Sequence, residues 1–192
     1  MKEQKLRALY GLKHNPFSRN IPLDALWHAP GAEAFFLRLE NVVLDGGFAL
    51  ISGEPGLGKS KLLHLSQQHL LGLGGDVAVG VMERPQSTVC DFYRELGELF
   101  GVNLSPANRY GGFKALRQRW HEHIQGTLLR PILMIDEAQE MPVQCLTELR
   151  LLGSVHFDSE CLLTTVLCGD SRLPDRFRDS KLLPLGSRIR TR

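Results

Sequence analysis

The stretch Gly53-Glu54-Pro55-Gly56-Leu57-Gly58-Lys59-Ser60 fits the pattern G-x-x-x-x-G-K-[ST] and stands between two regular segments. Before it lies a short apolar run, Phe48 to Ile51, too short for a helix and well suited to a buried strand. After it, from about Lys59, leucines at 62, 63, 65, 70 and 71 read as a helix that Gly72-Leu73-Gly74-Gly75 ends. A strand feeding a glycine loop and then a helix belongs to a parallel sheet. Glycines let successive backbone N–H groups curl around a phosphate, and the helix N-terminus adds a favourable dipole. Gly53, Glu54, Pro55, Gly56, Leu57, Gly58, Lys59, Ser60 and Lys61 are therefore expected to form a nucleotide cradle. Lys59 would meet the β- and γ-phosphates, and Ser60 would meet Mg²⁺.

The remaining pattern repeats the strand-helix alternation. Residues 32–44 place Phe35, Phe36, Leu39, Val42 and Val43 at helical spacing, and Asp45-Gly46-Gly47 closes that helix. A strand is expected over Asp76 to Met82. An amphipathic helix follows with Ser87 as N-cap and Val89, Phe92, Tyr93, Leu96, Leu99 and Phe100 inward. Phe113, Leu116, Trp120 and Ile124 mark another helix, with Trp120 as a packing residue. Pro131 to Ile135 reads as a strand, and a helix starts at Pro142 with Val143, Leu146, Leu149 and Leu152 inward. Cys161 to Cys168 is a further strand and Leu185 to Ile189 a last short one. The fold class is α/β, with a parallel central sheet and helices on both faces. At 192 residues the chain holds about one domain: a basic leader over 1–31, where Pro16 interrupts any helix, and a nucleotide-binding core over 32–192.

Composition is ordinary, 43% hydrophobic and 23% charged, which argues against disorder, collagen-like repeats and a disulfide-stapled mini-protein. Cys90, Cys145, Cys161 and Cys168 form no C-x-x-C pair and lie in apolar surroundings, so buried thiols in a reducing compartment are expected. No apolar run reaches about 18 residues and Met1 to Leu6 has no hydrophobic centre, so a cytoplasmic chain without membrane insertion is expected. The net charge of +2 hides an asymmetry: residues 1–21 carry +4, residues 172–192 carry +5, and the stretch between carries −7. Basic ends on an acidic body point to a polyanion or a neighbouring subunit, or else to two solvated tails.

Ile132-Leu133-Met134-Ile135-Asp136-Glu137 is an apolar strand ending in two carboxylates, 77 residues beyond Lys59. In a parallel sheet that end faces the ligand crevice. Asp136 would hold Mg²⁺ through water, and Glu137 would polarise an attacking water as general base. A water nucleophile needs such a base, so hydrolysis is favoured over transfer to a metabolite. No Asn-Lys-x-Asp stretch occurs, so the usual guanine-selecting loop is missing and ATP is the expected nucleotide.

These residues resemble AAA+ ATPases of the ExeA/TniB/TnsC type, secretion-pathway ATPases and ATPase helpers of DNA transposition. The resemblance rests on the Gly53–Ser60 loop, Ile132–Gln139 with its Asp-Glu-Ala-Gln ending, and Leu-Cys-Gly-Asp at 167–170. Leu185-Gly186-Ser187-Arg188-Ile189 and the leader Tyr10 to Phe17 extend it over nearly the whole chain. It implies the AAA+ three-layer P-loop NTPase fold, self-assembly into a ring or filament, and DNA with a transposase as working partners. It implies that Asn15 and Phe17 lie near the adenine. It also puts Asp170 at the sensor-1 position, where Asn, Thr or Gln is more usual, and makes Arg188 an arginine finger reaching a neighbouring subunit's nucleotide. Members of this type continue into a small helical lid, which is expected to be missing because the sequence stops at Arg192. Two alternatives stay open: an ATP-gated DNA-bound scaffold with little turnover, and a secretion-pathway ATPase.

Weaker signals carry less. His121 and His123 flank Glu122, but residues two apart on a helix diverge and a metal site is not expected. His64 and His69 read as surface or half-buried. Lys114, Arg117 and His121 share one helix side, with Arg119 on another, and could touch DNA phosphates or form a solvated face.

Overall fold

The computed structural model describes residues 2–192 apart from 19, 28–29, 75, 86–87, 105–107 and 156–158, and residues 2 and 3 only as backbone. In chain order the elements are α1 (Lys2–Leu9), α2 (Ala32–Asp45), β1 (Gly47–Ser52), α3 (Lys59–Gly72), β2 (Val79–Met82), α4 (Val89–Phe100) and α5 (Arg109–Thr127). Then come β3 (Ile132–Ile135), α6 (Val143–Gly153), β4 (Ser154–Val155), β5 (Glu160–Cys161), β6 (Thr164–Gly169), α7 (Arg172–Arg176), α8 (Leu183–Gly186) and β7 (Ile189–Thr191). Five strands form one sheet in the order β2-β3-β6-β1-β7, and every pairing in it is parallel.

Strand residues alternate between two cores. Ala49, Ile51, Ile132, Met134, Val166 and Cys168 meet Phe35, Phe36, Leu39 and Val43 of α2 and Leu63 and Leu70 of α3. Phe48, Leu50, Leu133, Ile135 and Leu167 meet the other helices, through Phe92 and Leu96, Leu116 and Trp120, and Leu146, Leu149 and Leu152. This is the three-layer arrangement expected from the alternation of strand and helix signals. Trp120, 1% exposed, packs edge-on against Phe100 at 5.4 Å. Glu148 of α6 is buried yet satisfied: Tyr93 Oη donates to it at 2.8 Å and Arg109 grips both its oxygens.

Several expectations need correction. The strand expected over 76–82 is only Val79–Met82. Ser87 lies outside the described residues, and the N-cap of α4 is Thr88, whose hydroxyl accepts from the Asp91 amide at 3.2 Å. The segment 161–168 is two strands, because Glu160–Cys161 pairs antiparallel with Ser154–Val155 before the chain enters the central sheet at Thr164. Residues 183–186 form a helical turn, opened by Pro184 near its start, and the last strand begins only at Ile189. Val143 is exposed at the start of α6 and is not among the residues that helix buries. Cys145 and Cys168 are buried, Cys161 is half-buried and Cys90 is exposed on α4. The supposed basic face of α5 is partly packing: Arg117 lies over the Phe113 ring at 5.0 Å, and burial lowers its pKa.

The C-terminal end of α2 shows how the amino ends of the strands are tied down. Its last turn has no basic residue of its own. Arg130, arriving from the loop before β3, donates instead to the Leu44 carbonyl and, at 3.3 Å, to the Cys161 carbonyl. The guanidinium thus satisfies an orphan helix carbonyl and sets its charge at the negative end of the helix dipole. Replacing Arg130 with Ala should destabilise the fold by about 1.5–3 kcal/mol, the range for hydrogen bonds to a charged group. Lys, which lacks the fork, should recover less than half of that loss in thermal or urea melts.

Candidate nucleotide site

The loop between β1 and α3 has the shape its residues anticipate. Gly56 and Gly58 sit at φ +84° and +82°, in the left-handed region that other residues enter at a cost, and open space surrounds both Cα atoms. The helix's own hydrogen bonding starts with the Leu62 amide on the Gly58 carbonyl, so the amides of its first turn have no acceptor within the helix. Lys59 Nζ donates across the loop to the Glu54 carbonyl at 2.9 Å. Ser60 is exposed in the first turn of α3. A glycine-bent loop that leads into a helix N-terminus, with an ammonium and a hydroxyl beside it, fits a polyphosphate and its divalent cation.

Strand register brings the carboxylates to the same rim. Ile135 pairs with Leu167, and Leu167 with Leu50, so Asp136 follows in the row of Cys168 and Ile51, two residues before Gly53 opens the loop. Its parity matches Met134, which puts it on the sheet face covered by α2 and α3. The Cys168 thiol links the groups: burial pushes its pKa well above the usual thiol range, and the Asp136 carboxylate bonded to it pushes further. Lys59, close enough to act on the same thiol, pulls in the opposite sense.

Beyond Asp136 the chain turns sharply. Glu137 has φ +52°, a left-handed conformation that costs a side-chain-bearing residue roughly 1–2 kcal/mol. Its amide donates to Asp136 Oδ1 at 2.9 Å, and its Oε2 accepts from Gln139 Nε2 at 2.5 Å. Such strain persists only where surroundings hold it, and it concentrates at functional sites. The 3-10 turn Ala138–Glu140 is held from below by Arg176, which donates to the carbonyls of Gln139 at 2.6 Å and Met141 at 2.7 Å.

Asp170, just past β6, also belongs to this rim. Arg172 binds its carboxylate through its amide at 2.9 Å and through Nε at 2.8 Å, and reaches Glu140 at 2.6 Å. These bonds hold the Asp170 carboxyl below its ordinary pKa, and Lys59 adds to the effect. The rim therefore gathers Lys59, Ser60, Asp136, Glu137 and Asp170.

The other expected residues lie elsewhere. Arg188 immediately precedes β7, where Ile189 pairs with Phe48, so it stands at the amino end of the sheet. The six residues of β1 separate that end from the loop by about 20 Å, far beyond one side chain. Arg188 donates to the Pro184 carbonyl. The Asn15 side chain accepts from the Phe17 amide at 2.9 Å, and the Phe17 ring is 93% exposed, so it is not packed against an adenine pocket in this arrangement. Sequence reasoning gave no role to Gln139, Arg172 or Arg176. The available signal was spacing, since Gln139 and Arg172 each stand two residues after a singled-out carboxylate.

Among the described residues, no helix is long and apolar enough to cross a membrane. A family profile described as an AAA domain matches residues 43–177. General secretion pathway protein A of Aeromonas hydrophila is 28% identical over 187 residues, 95% of this chain and 33% of that protein, so the chain spans about a third of its relative's length. Among solved structures, the ADP form of Aeropyrum pernix ORC2 aligns with a TM-score of 0.67 at 16% identity, over 91% of this chain and 50% of that one. Cdc6p of Pyrobaculum aerophilum gives 0.59 at 16% identity over 91% and 48%. Domain III of the Thermotoga maritima replication initiation protein DnaA gives 0.52 at 19% identity over 92% and 68%. At these identities the structural likeness concerns the fold alone, and it agrees with the five-stranded parallel sheet. With the profile spanning most of its length and the loop and acidic strand end on one rim, the chain belongs to the AAA domain family of P-loop ATPases.

Proposed function

We propose that the chain binds and hydrolyses ATP with Mg²⁺, using the rim where the glycine loop meets the acidic end of β3. The observation that carries this reading is the shared row of Asp136, Cys168 and Ile51, two residues before Gly53. Lys59 and the loop amides bind the phosphates, Ser60 and Asp136 hold Mg²⁺, and Glu137 takes a proton from the attacking water. Bound Mg²⁺ supplies charge neutralisation of the phosphates. Lys59→Ala should abolish binding of a fluorescent ATP analogue. Glu137→Gln should bind it normally while releasing phosphate at least about a hundredfold more slowly, the usual weight of a general base. Unchanged affinity in the first variant, or normal turnover in the second, sinks the assignment.

Arg188 supports a second part of the proposal, a site completed by a neighbouring copy. Standing at the opposite end of the sheet, it reaches a triphosphate only across a head-to-tail interface. Arg188→Ala should then lose about 10³-fold or more in rate without losing nucleotide affinity. Mixed with Lys59→Ala in equal amounts, it should recover roughly a quarter of the unsubstituted rate by random assortment of neighbours. No recovery on mixing overturns the shared site.

DNA is the proposed polyanionic partner of the basic terminal segments, and duplex DNA added to the phosphate-release assay reads its effect. For the wider machine, the similarity to the Aeromonas general secretion pathway protein favours a secretion pathway over a transposase.

A further inference from the structure

Gln139 stands in the turn after the acidic strand end, 8% exposed, and both ends of its carboxamide are engaged. Nε2 donates to Glu137 Oε2 at 2.5 Å, and Oε1 accepts from the Asp170 amide at 3.0 Å. Chemistry fixes this orientation, because a carboxylate only accepts and a backbone amide only donates. A third observation comes from the strand opposite. A Cβ built on Gly169 would lie 2.5 Å from Gln139 Oε1 and 2.8 Å from Leu173 Cδ2, so the carboxamide occupies space that only glycine leaves. Arg176 anchors the turn through the Gln139 carbonyl, which leaves the side chain little freedom.

We infer that Gln139 is a positioning residue for Glu137: it clasps one carboxylate oxygen and fastens it to the end of β6, leaving the other oxygen to take the water's proton. The inference rests on the hydrolytic reading above. It accounts for three features together. The left-handed Glu137 backbone is held from its side-chain end as well as by Asp136, a primary amide stands where only a donor and an acceptor at opposite ends serve, and residue 169 lacks a side chain. It also links the two strand ends, so a shift of Asp170 is passed to the base through one amide. A group whose aim matters only in the transition state changes turnover and not nucleotide affinity.

The test compares the whole chain with Gln139→Glu. This variant keeps the length and an oxygen for the Asp170 amide, and it turns an acceptor toward Glu137 in place of the donor. Phosphate release should fall by about tenfold or more and the affinity for a fluorescent ATP analogue should stay within about threefold, both read well below the melting temperature, which the new carboxylate pair lowers. Gly169→Ala, which pushes the carboxamide without changing its chemistry, should move turnover in the same direction. In a Glu137→Gln background, Gln139→Glu should remove no further rate, whereas a residue that only supports the fold would cost rate in both backgrounds. Normal turnover in Gln139→Glu beside a slow Glu137→Gln overturns this inference alone. So does an affinity loss that matches the rate loss, or an additional loss in the Glu137→Gln background. No turnover in the unsubstituted chain, or turnover indifferent to Glu137→Gln, overturns the hydrolytic reading and this inference with it.

Discussion

The parallel, in-register pairing of β3, β6 and β1 is the constraint on which the site depends. Ile132, Thr164 and Gly47 begin the shared register, and rows without a bulge run from there to Ile135, Leu167 and Leu50. Side chains alternate with period two, so a slip of one residue would turn Asp136 to the face of α4 to α6, away from α3 and its loop. The slip would also carry the row of Met134, Val166 and Ala49, each fully buried, out of the core it fills and into the differently shaped one on the other face. Removing such side chains from contact with neighbours costs about 1.5–3 kcal/mol apiece for the larger ones, so the core enforces the geometry of the polar groups. Packing and chemistry are specified by the same rows.

The strand order adds a second consequence. Because β6 lies between β1 and β3, the loop and the acidic strand end are two strand spacings apart, about 10 Å. That gap is bridged by the end of β6, through Cys168 below and Asp170 above. Groups on β6 therefore touch both halves of the site: the Cys168 thiol faces Asp136 and feels Lys59, while the Asp170 amide holds Gln139. The middle strand acts as a spacer whose termination sets how the outer two cooperate.

Much of this was legible in the sequence, and for identifiable reasons. The loop carries its own backbone signature in Gly56 and Gly58, and Ile132 to Glu137 announces a buried strand that becomes polar at one end. Both are local patterns, and β1, α3 and β3 form within a residue or two of where those patterns put them. The misreadings are nonlocal. Cys161 to Cys168 is an unbroken stretch of strand-favouring residues, apolar but for Thr164 and Thr165, and only the antiparallel pairing of Cys161 with Ser154 divides it. Leu185 to Ile189 looks like a strand because Leu185 is buried, but it is buried from a helical turn that packs with Phe177 and Leu182. The contacts of Gln139 join residues 31 apart, which no spacing within its own segment reveals.

Asp170 illustrates how a local oddity resolves once partners are known. A bare carboxylate beside a polyphosphate would repel it, and the resemblance to AAA+ ATPases leads to the expectation of a neutral polar side chain here. Here the carboxylate is not bare. Arg172, two residues on, closes over it with two hydrogen bonds and also takes Glu140, so the cluster of two acids and one base presents a guanidinium as well as carboxylates. The nearby Lys59 adds a second cation. The field at the rim is then set by the group, and its sign cannot be read from Asp170 alone. On the proposed reading, the pair Asp170 and Arg172 does jointly what one neutral residue does elsewhere. Its backbone amide, unaffected by the side-chain charge, stays available to orient Gln139. The acid at this position is tolerable because its arginine is built into the following turn, and substituting either one alone would leave the other's charge facing the phosphates.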